Sequence, residues 1–116
     1  MSYTPKVIVP QAFVESALTK KYTSPVLGLG GKGTWIDKAV FANPTGSAAT
    51  VTIYLVPAGG ATGDSTKTIP PVTIAAGATL AVTELAGKFM AAGDELWWVS
   101  GTASAINGAV NGREVT

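Results

Sequence analysis

Short runs of alternating apolar and polar residues, separated by turn-forming clusters, constrain the fold of this chain more than any other feature. The clusters are rich in Gly, Pro, Ala, Asn and Asp and occupy residues 43–46, 57–65, 75–77 and 92–94. A period of two between apolar positions is typical of strands that bury one face, and such clusters mark turns. The sequence therefore predicts an all-β protein built from short strands.

The run TVTIYLV, residues 50–56, is the clearest predicted strand. Val51, Ile53 and Leu55 lie on one face of it, while Thr and Tyr side chains occupy the other. Residues 34–42 form a second alternating run, and the turn sequence after it predicts a hairpin between the two. In this second run one predicted face holds Ile36, Val40 and Ala42, and the other holds Trp35, Asp37 and Phe41.

Residues 95–100, ELWWVS, are apolar on both faces if they form a strand. Leu96 and Trp98 share one face, and Trp97 and Val99 share the other. A strand of this kind is covered on both sides. We therefore expect one face to lie in the core and the other to contact a partner or a ligand.

Two further segments have the pattern of strands, but each contains residues that interrupt regular strand pairing. Residues 66–74 contain two adjacent prolines, which remove two backbone donors and predict either an edge strand or two half-strands. Residues 105–115 form a strand that is interrupted at Asn111-Gly112 by either a bulge or a type I′ turn.

Together these segments predict a single β-sandwich of about seven or eight short strands, with a jelly-roll or immunoglobulin-like topology. The sandwich domain is expected over residues 31–116. Residues 1–30 contain three prolines and lead into the Gly-rich stretch 28–33. This composition favours an extended N-terminal arm followed by a flexible hinge, with short strands at 6–9 and 17–22 as the alternative.

Charged residues are scarce in this chain. Asp, Glu, Lys and Arg make up 13% of its 116 residues, about half of the roughly 25% found in soluble domains. A β-domain with so little charge exposes uncharged edges and apolar patches, which become contacts in a symmetric assembly. We therefore expect neighbouring subunits to cover its surface. The net charge of +1 provides no basic surface for nucleic acid.

The composition also restricts catalysis. The chain contains no Cys and no His, which removes thiolate nucleophiles, thiolate metal sites and the commonest general base. The stretch 28–33, GLGGKG, matches a dinucleotide-binding pattern, but the run after it has the periodicity of a strand rather than a helix. Asp64 and Asp94 stand beside Gly in turns, where a carboxylate commonly binds its own backbone, with calcium as the alternative. We expect neither enzyme activity, nor a cofactor, nor a metal.

Aromatic and apolar residues supply the candidate interface. Trp35, Trp97 and Tyr54 are able to stack on sugars, but a contact with a partner protein is the favoured interpretation, since aromatic residues are enriched at interface centres. The N-terminal arm is expected to lie across a neighbouring subunit and add a strand to its sheet. The predicted contact residues, in the arm and on the second face of the tryptophan strand, are Tyr3, Val7, Ile8, Val9, Phe13, Trp97 and Val99.

Turn and strand motifs follow one another in a characteristic order over residues 34–115. An Asn-containing hairpin leads into a V-x-V strand that ends before a Gly-rich loop, and the turn at 74–79 leads into a segment containing Leu85. A Gly-Asp turn at 93–94 and the terminal Gly-Arg-Glu-Val at 112–115 complete the order. In these features the sequence resembles a group of small virion proteins of tailed bacteriophages.

The resemblance implies a β-sandwich building block of the phage particle, without catalysis. The expected function is that of a capsid decoration or cement protein that bridges and stabilises shell subunits. A neck or tail component forming a ring or trimer is the first alternative, and a carbohydrate-binding or adhesive module is the second. The expected partners are the major capsid protein, or neck and tail subunits, and copies of the chain itself. Because no apolar run resembles a signal peptide or a membrane span, we expect synthesis in the host cytoplasm, a location in the virion and no membrane partner.

Overall fold

The computed structural model describes residues 3–25 and 32–115, and it confirms the predicted all-β sandwich. Nine strands in this described part of the chain form two antiparallel sheets that enclose a common core. No helix in the described residues is long and apolar enough to cross a membrane. The strands are β1 (Tyr3–Phe13), β2 (Thr19–Thr23), β3 (Gly33–Ala42), β4 (Ala49–Val56), β5 (Lys67–Ile74), β6 (Thr79–Ala81), β7 (Phe89–Ala91), β8 (Glu95–Ser100) and β9 (Asn107–Val115).

The strand order is that of a jelly roll. Sheet I has the order β1-β9-β3-β6, with β7 also paired to β3, and sheet II has the order β2-β8-β4-β5. Because β6 and β7 pair with opposite ends of β3, they act as one interrupted strand. Counted in this way, residues 3–25 and 32–115 form two four-stranded sheets and cross between them repeatedly, as in a jelly roll. This order decides between the two topologies that the sequence left open.

The core between the sheets is centred on Trp98. Trp98 and Leu96 on β8 are fully buried, as their alternation predicted. The Trp98 ring meets the Phe41 ring of β3 edge-on, with centroids 5.7 Å apart, which is a favourable aromatic geometry. Gly108 on β9 makes room for this pair, because a Cβ there would lie 2.5 Å from the Phe41 ring and 2.9 Å from the Trp98 ring.

Residues 3–13 form the edge strand of sheet I rather than an arm on a neighbouring subunit. β1 pairs with β9, and its two prolines are tolerated because they lie on an edge strand. A bulge between Val7 and Val9 turns two consecutive side chains inward. Ile8 and Val9 are therefore only 4% and 1% exposed, and these two predicted contact residues belong to the core. The predicted hinge falls mainly on residues 28–31, outside the described residues.

A β-bulge also reverses the predicted faces in the second half of β3. The register with β9 shifts between Ile36 and Lys38, and an extra residue turns every later side chain to the opposite face. Phe41 is consequently buried together with Ile36, whereas Val40 is only partly buried. The sequence-based assignment of Val40 to the face of Ile36 was wrong for this reason.

Both bulges lie beside Gly112 of β9. A Cβ at Gly112 would collide with the carbonyl oxygen of Trp35 and with Cδ1 of Ile8. The missing side chain therefore lets both bulged neighbours approach β9 closely. Strand β9 itself continues through Asn111-Gly112, so the predicted irregularity is a pair of bulges in the adjacent strands and not a turn.

The hairpin predicted between the segments of β3 and β4 is wrong, because the two strands belong to different sheets. The loop between them crosses from one sheet to the other and is fixed by the buried side chain of Asn43. Asn43 Nδ2 donates to the carbonyl oxygens of Ser47 at 2.8 Å and Ile74 at 2.9 Å. Its Oδ1 accepts from the amide and the hydroxyl of Thr45. A turn-forming sequence therefore serves here as a crossover between layers.

The predicted position of the two adjacent prolines is confirmed. β5 is an edge strand of sheet II, and its register with β4 is irregular around Pro70 and Pro71. An edge position accommodates these residues because their missing N–H groups need not pair.

Candidate functional site

Exposed apolar side chains concentrate on the outer face of sheet I. Five large hydrophobic side chains are exposed among the described residues, and four of them belong to β1 or β7. The inward positions of the same sheet are occupied by Gly108, Val110 and Gly112 of β9 and by Met90 of β7. We call the four exposed residues the apolar face: Tyr3 (54% exposed), Val7 (57%), Phe13 (47%) and Phe89 (45%).

An arginine is held among aromatic rings at one end of the apolar face. The Arg113 guanidinium binds the Asp37 carboxylate through Nε at 3.1 Å from both oxygens and through Nη2 at 3.0 Å. It also lies 5.5 Å from the centre of the Tyr3 ring. Trp35, opposite Arg113, packs against Phe89 with ring centroids 4.8 Å apart. The result is a preorganised surface of three aromatic rings around one charged pair.

The centre of the same sheet presents small, uncharged side chains. Val40 stands opposite Ala109 of β9 on one side and Ala81 of β6 on the other. Val40 and Ala109 are partly buried and Ala81 is exposed. These short side chains leave a depression of about 160 Å³, lined in part by Val40 and Ala109, which a side chain of another protein can enter.

The outer face of sheet II has a different composition. Lys20, Trp97, Tyr54 and Lys67 stand directly opposite one another on β2, β8, β4 and β5. The Trp97 indole N–H donates to Glu95 Oε1 at 2.9 Å, and Lys20 Nζ lies 3.5 Å from the other oxygen of Glu95. Lys67 Nζ lies 5.9 Å from the centre of the Tyr54 ring. We call the four residues that cross the sheet the aromatic row.

The predicted alternation of the tryptophan strand is confirmed on this side as well. Trp97 and Val99 are partly exposed on the outer face, whereas Trp98 is buried. Tyr3, Val7 and Phe13 therefore lie on the outer face or edge of one sheet, and Trp97 and Val99 on the outer face of the other. The structure does not bring the predicted contact residues together into one surface.

The Glu15 carboxylate accepts a hydrogen bond from the indole N–H of the buried Trp98. Trp98 Nε1 donates to Glu15 Oε1 at 2.7 Å, and Lys21 Nζ donates to Oε2 at 2.9 Å. Burial alone would raise the pKa of the Glu15 carboxyl, but the hydrogen bonds from Trp98 and Lys21 outweigh it, so that this pKa lies below its ordinary value. The sequence contains no signal for this contact, because Glu15 and Trp98 are far apart along the chain.

A second polar cluster lies inside one end of the sandwich. The Tyr22 hydroxyl donates to Glu114 Oε2 at 2.5 Å and shares a hydrogen bond with the Thr34 hydroxyl at 2.8 Å. Ser24 joins the cluster through Thr34 Oγ1, also at 2.8 Å. Burial and the bond to Glu114 raise the pKa of Tyr22 well above its ordinary value. Glu114 is thus bound to Tyr22, whereas its chain neighbour Arg113 pairs with Asp37.

The two aspartates considered for calcium are engaged within the protein. Asp94 accepts from the Ala58 amide through Oδ1 and from the Ala91 amide through Oδ2. Asp64 Oδ1 pairs with Lys67 at 3.2 Å. Within residues 3–25 and 32–115, no three carboxylates lie close enough together to form a metal site.

A groove of about 430 Å³ follows the open seam between β5 and β6. Ile69 and Val72 line one side of it, and Leu80 and Val82 line the other. Glu84 is the one charged residue among the lining side chains. The groove therefore offers an apolar surface with a single carboxylate rather than a pair of acid and base groups.

The fold and the two outer faces define the protein as a jelly-roll β-sandwich with one apolar and one aromatic-polar surface. No protein-family model matches the sequence, and no match was found among curated proteins or solved structures. The function is therefore argued from the chemistry of the two surfaces.

Proposed function

We propose that this protein is a non-enzymatic structural subunit of a bacteriophage particle, and that it decorates the capsid by binding shell subunits through the apolar face. The observation that carries the proposal is the concentration of four exposed hydrophobic side chains on one sheet of a charge-poor protein. Burial of these side chains against a partner removes their apolar surface from water, which favours association. The phage assignment itself rests on the sequence resemblance.

The chemistry of the apolar face favours a protein partner. Tyr, Trp, Phe and Arg are the residues enriched at the centres of protein interfaces, and Tyr3, Trp35, Phe89 and Arg113 all lie at one end of this face. Asp37 holds the guanidinium in place before any partner binds. A side chain that is already ordered loses less conformational entropy on binding.

The position of β1 changes the expected mode of attachment. β1 already uses one edge for its bonds to β9, and Pro5 and Pro10 remove donors from the strand. We therefore propose that side chains of the apolar face, rather than the addition of a strand to a neighbouring sheet, supply the contact. Each copy bridges neighbouring shell subunits, and many weak contacts act together across the particle.

The test is reconstitution on particles that have been stripped of this protein. Purified protein is added back, and the number of bound copies is measured by quantitative mass spectrometry. We expect Val7→Asp, which places a charge in the apolar face, to reduce occupancy at least tenfold, whereas Thr73→Asp, at an exposed position of sheet II, keeps it. Near-normal occupancy of a folded Val7→Asp protein would contradict the proposal.

The copy number from the same measurement separates capsid decoration from the alternative location. Decoration requires many copies distributed over the shell, whereas a neck or tail ring requires a small number set by the symmetry of that ring. A low, ring-like number would move the contact to the neck or tail.

A further inference from the structure

We infer that the aromatic row on sheet II is a binding platform for neutral oligosaccharides. The inference is independent of the proposed particle contact, since the two surfaces lie on opposite sheets. It rests on one juxtaposition: Trp97 and Tyr54 stand side by side at the centre of sheet II, with a paired lysine and carboxylate at each end. Apolar C–H faces of a sugar stack on aromatic rings, while its hydroxyls require polar partners at the rim.

The platform is rigid and of suitable length. Adjacent strands lie about 4.8 Å apart, so the four residues of the row span roughly 14 Å of backbone, which is the length of a short oligosaccharide. Both aromatic residues belong to the two central strands of the sheet, β8 and β4. Side chains on central strands are held by neighbours on both sides, so little order has to be gained on binding.

The hydrogen bond from Trp97 to Glu95 fixes the indole. The two residues are separated by one position on β8 and share the outer face, so the indole reaches along its own strand. Trp97 is partly exposed in this arrangement. Glu95 also approaches Lys20, and the rim beside the indole therefore carries both a hydrogen-bond acceptor and a donor for sugar hydroxyls.

Charge distinguishes a neutral sugar from a nucleic acid. Lys20 is paired with Glu95 at 3.5 Å, and Lys67 is paired with Asp64 at 3.2 Å. The formal charges of these four groups cancel, so the platform has no excess of positive charge to neutralise phosphates, which dominate nucleic-acid affinity. Aromatic stacking with a neutral polar rim favours a neutral sugar instead.

The same surface is a poor match for a protein partner. Among the described residues, the five exposed large hydrophobic side chains all lie outside the aromatic row. A protein interface of standard size needs an extended apolar centre, whereas the row provides two partly exposed rings between charged groups. The small footprint corresponds to a small ligand.

The experiment is isothermal titration of the full chain with a panel of neutral oligosaccharides: cellohexaose, laminarihexaose, maltohexaose, mannohexaose and hexa-N-acetylchitohexaose. We expect at least one of them to bind, and Trp97→Ala to weaken that binding at least tenfold. The matched control is Trp35→Ala, which removes a partly exposed tryptophan from sheet I and should leave the affinity unchanged. Tyr54→Phe keeps the ring and should change the affinity less than twofold.

Three outcomes would overturn the inference. The first is no binding of any panel member at about 10 mM, a concentration that nearly saturates a site with a Kd near 1 mM. The second is an equal loss of affinity in Trp97→Ala and Trp35→Ala. The third is tighter binding of oligothymidine than of every sugar, which would assign the row to single-stranded nucleic acid. If Trp97→Ala fails to fold, Glu95→Ala replaces it, with a loss of at least threefold expected.

Discussion

The two outer faces of this jelly roll are made of the same kind of strand and yet present opposite chemistry. Sheet I exposes isolated apolar side chains such as Val7 and Phe13, together with a charged pair that lies among aromatic rings. Sheet II surrounds its aromatic residues with lysine and carboxylate groups, and the indole N–H of Trp97 donates a hydrogen bond to Glu95. Burying the first face releases water from apolar surface, whereas burying the second requires replacement of its polar contacts.

The alternation of a strand therefore decides only which side chains point outward. The outward residues and their neighbours across the sheet select the partner. Trp97 and Trp35 are both partly exposed tryptophans on outer faces. Trp35 packs against Phe89, while Trp97 is bonded to Glu95. The same residue type therefore contributes to an apolar contact in one sheet and to a polar-rimmed platform in the other.

The most destabilising substitution we expect is Gly112→Ala on β9. In Gly112→Ala the new Cβ collides with the backbone of Trp35 and the side chain of Ile8, and a backbone atom cannot yield as a flexible side chain does. We expect a loss of about 3 kcal/mol or more in the free energy of unfolding, measured by urea denaturation. Gly46→Ala is the matched control, since nothing lies within 4 Å of its added Cβ.

The Gly112→Ala protein also separates the two faces. The collision is confined to sheet I. A Gly112→Ala protein that remains folded should therefore bind particles more weakly but keep its affinity for oligosaccharide at the aromatic row. Equal stability of the Gly112→Ala and Gly46→Ala proteins would show that β9 and its bulged neighbours relax freely, and Gly112 would then not be required for the shape of sheet I.

A smaller effect is expected beneath sheet II. Glu15→Ala leaves the indole N–H of the fully buried Trp98 without its acceptor. An unsatisfied buried donor costs about 1–3 kcal/mol, and urea denaturation at neutral pH should show a loss in this range. Glu84→Ala, at an exposed position, is the control. Denaturation curves for Glu15→Ala and Glu84→Ala that superimpose would refute the structural role of Glu15.

The pH dependence of stability provides a finer test of the same contact. The pKa of the Glu15 carboxyl is lowered in the folded protein, because the hydrogen bonds from Trp98 and Lys21 outweigh the effect of burial. The ionised group therefore stabilises the fold at pH above its ordinary pKa, and this contribution is lost as the pH falls through the lower folded pKa. Glu15→Gln keeps an acceptor but does not titrate. We expect the difference in Tm between the native chain and Glu15→Gln to shrink below about pH 4.5, and a constant difference down to about pH 2 would contradict this linkage.

Much of the fold follows from local sequence, and the exceptions have identifiable causes. β8 was predicted with its bounds and both faces, because ELWWVS alternates without an irregularity. β3 looks equally regular, but its bulge is set by contact with Gly112 on β9, which is distant in sequence. The loop after β3 has the composition of a hairpin turn, yet Asn43 anchors it to Ile74, a residue from another part of the chain. Neither long-range contact leaves a local pattern.

The sequence also identified some, but not all, of the exposed residues on the two surfaces. Sequence patterning marked Tyr3, Val7 and Phe13, which are exposed, and their role in contact stays a prediction. It also marked Ile8 and Val9, which a bulge turns inward. Phe89 was missed. It precedes the buried Met90, and this exposed–buried alternation is typical of a short strand. The Arg113–Asp37 pair joins two strands that are distant in sequence and had no sequence signal.

The smallest changes in stability should come from removing one surface ion pair on each sheet. Asp37→Asn on sheet I and Asp64→Asn on sheet II each remove the negative partner of a solvent-exposed cation. Such pairs contribute at most about 1 kcal/mol, so both variants should unfold within that margin of the native chain. Their effects on particle occupancy should differ: Asp37→Asn frees Arg113 from its fixed position beside Tyr3 and should lower occupancy severalfold, whereas Asp64→Asn should leave it unchanged. Equal occupancy of the two variants would mean that the order of Arg113 contributes nothing to the contact, and the apolar side chains alone would then account for it.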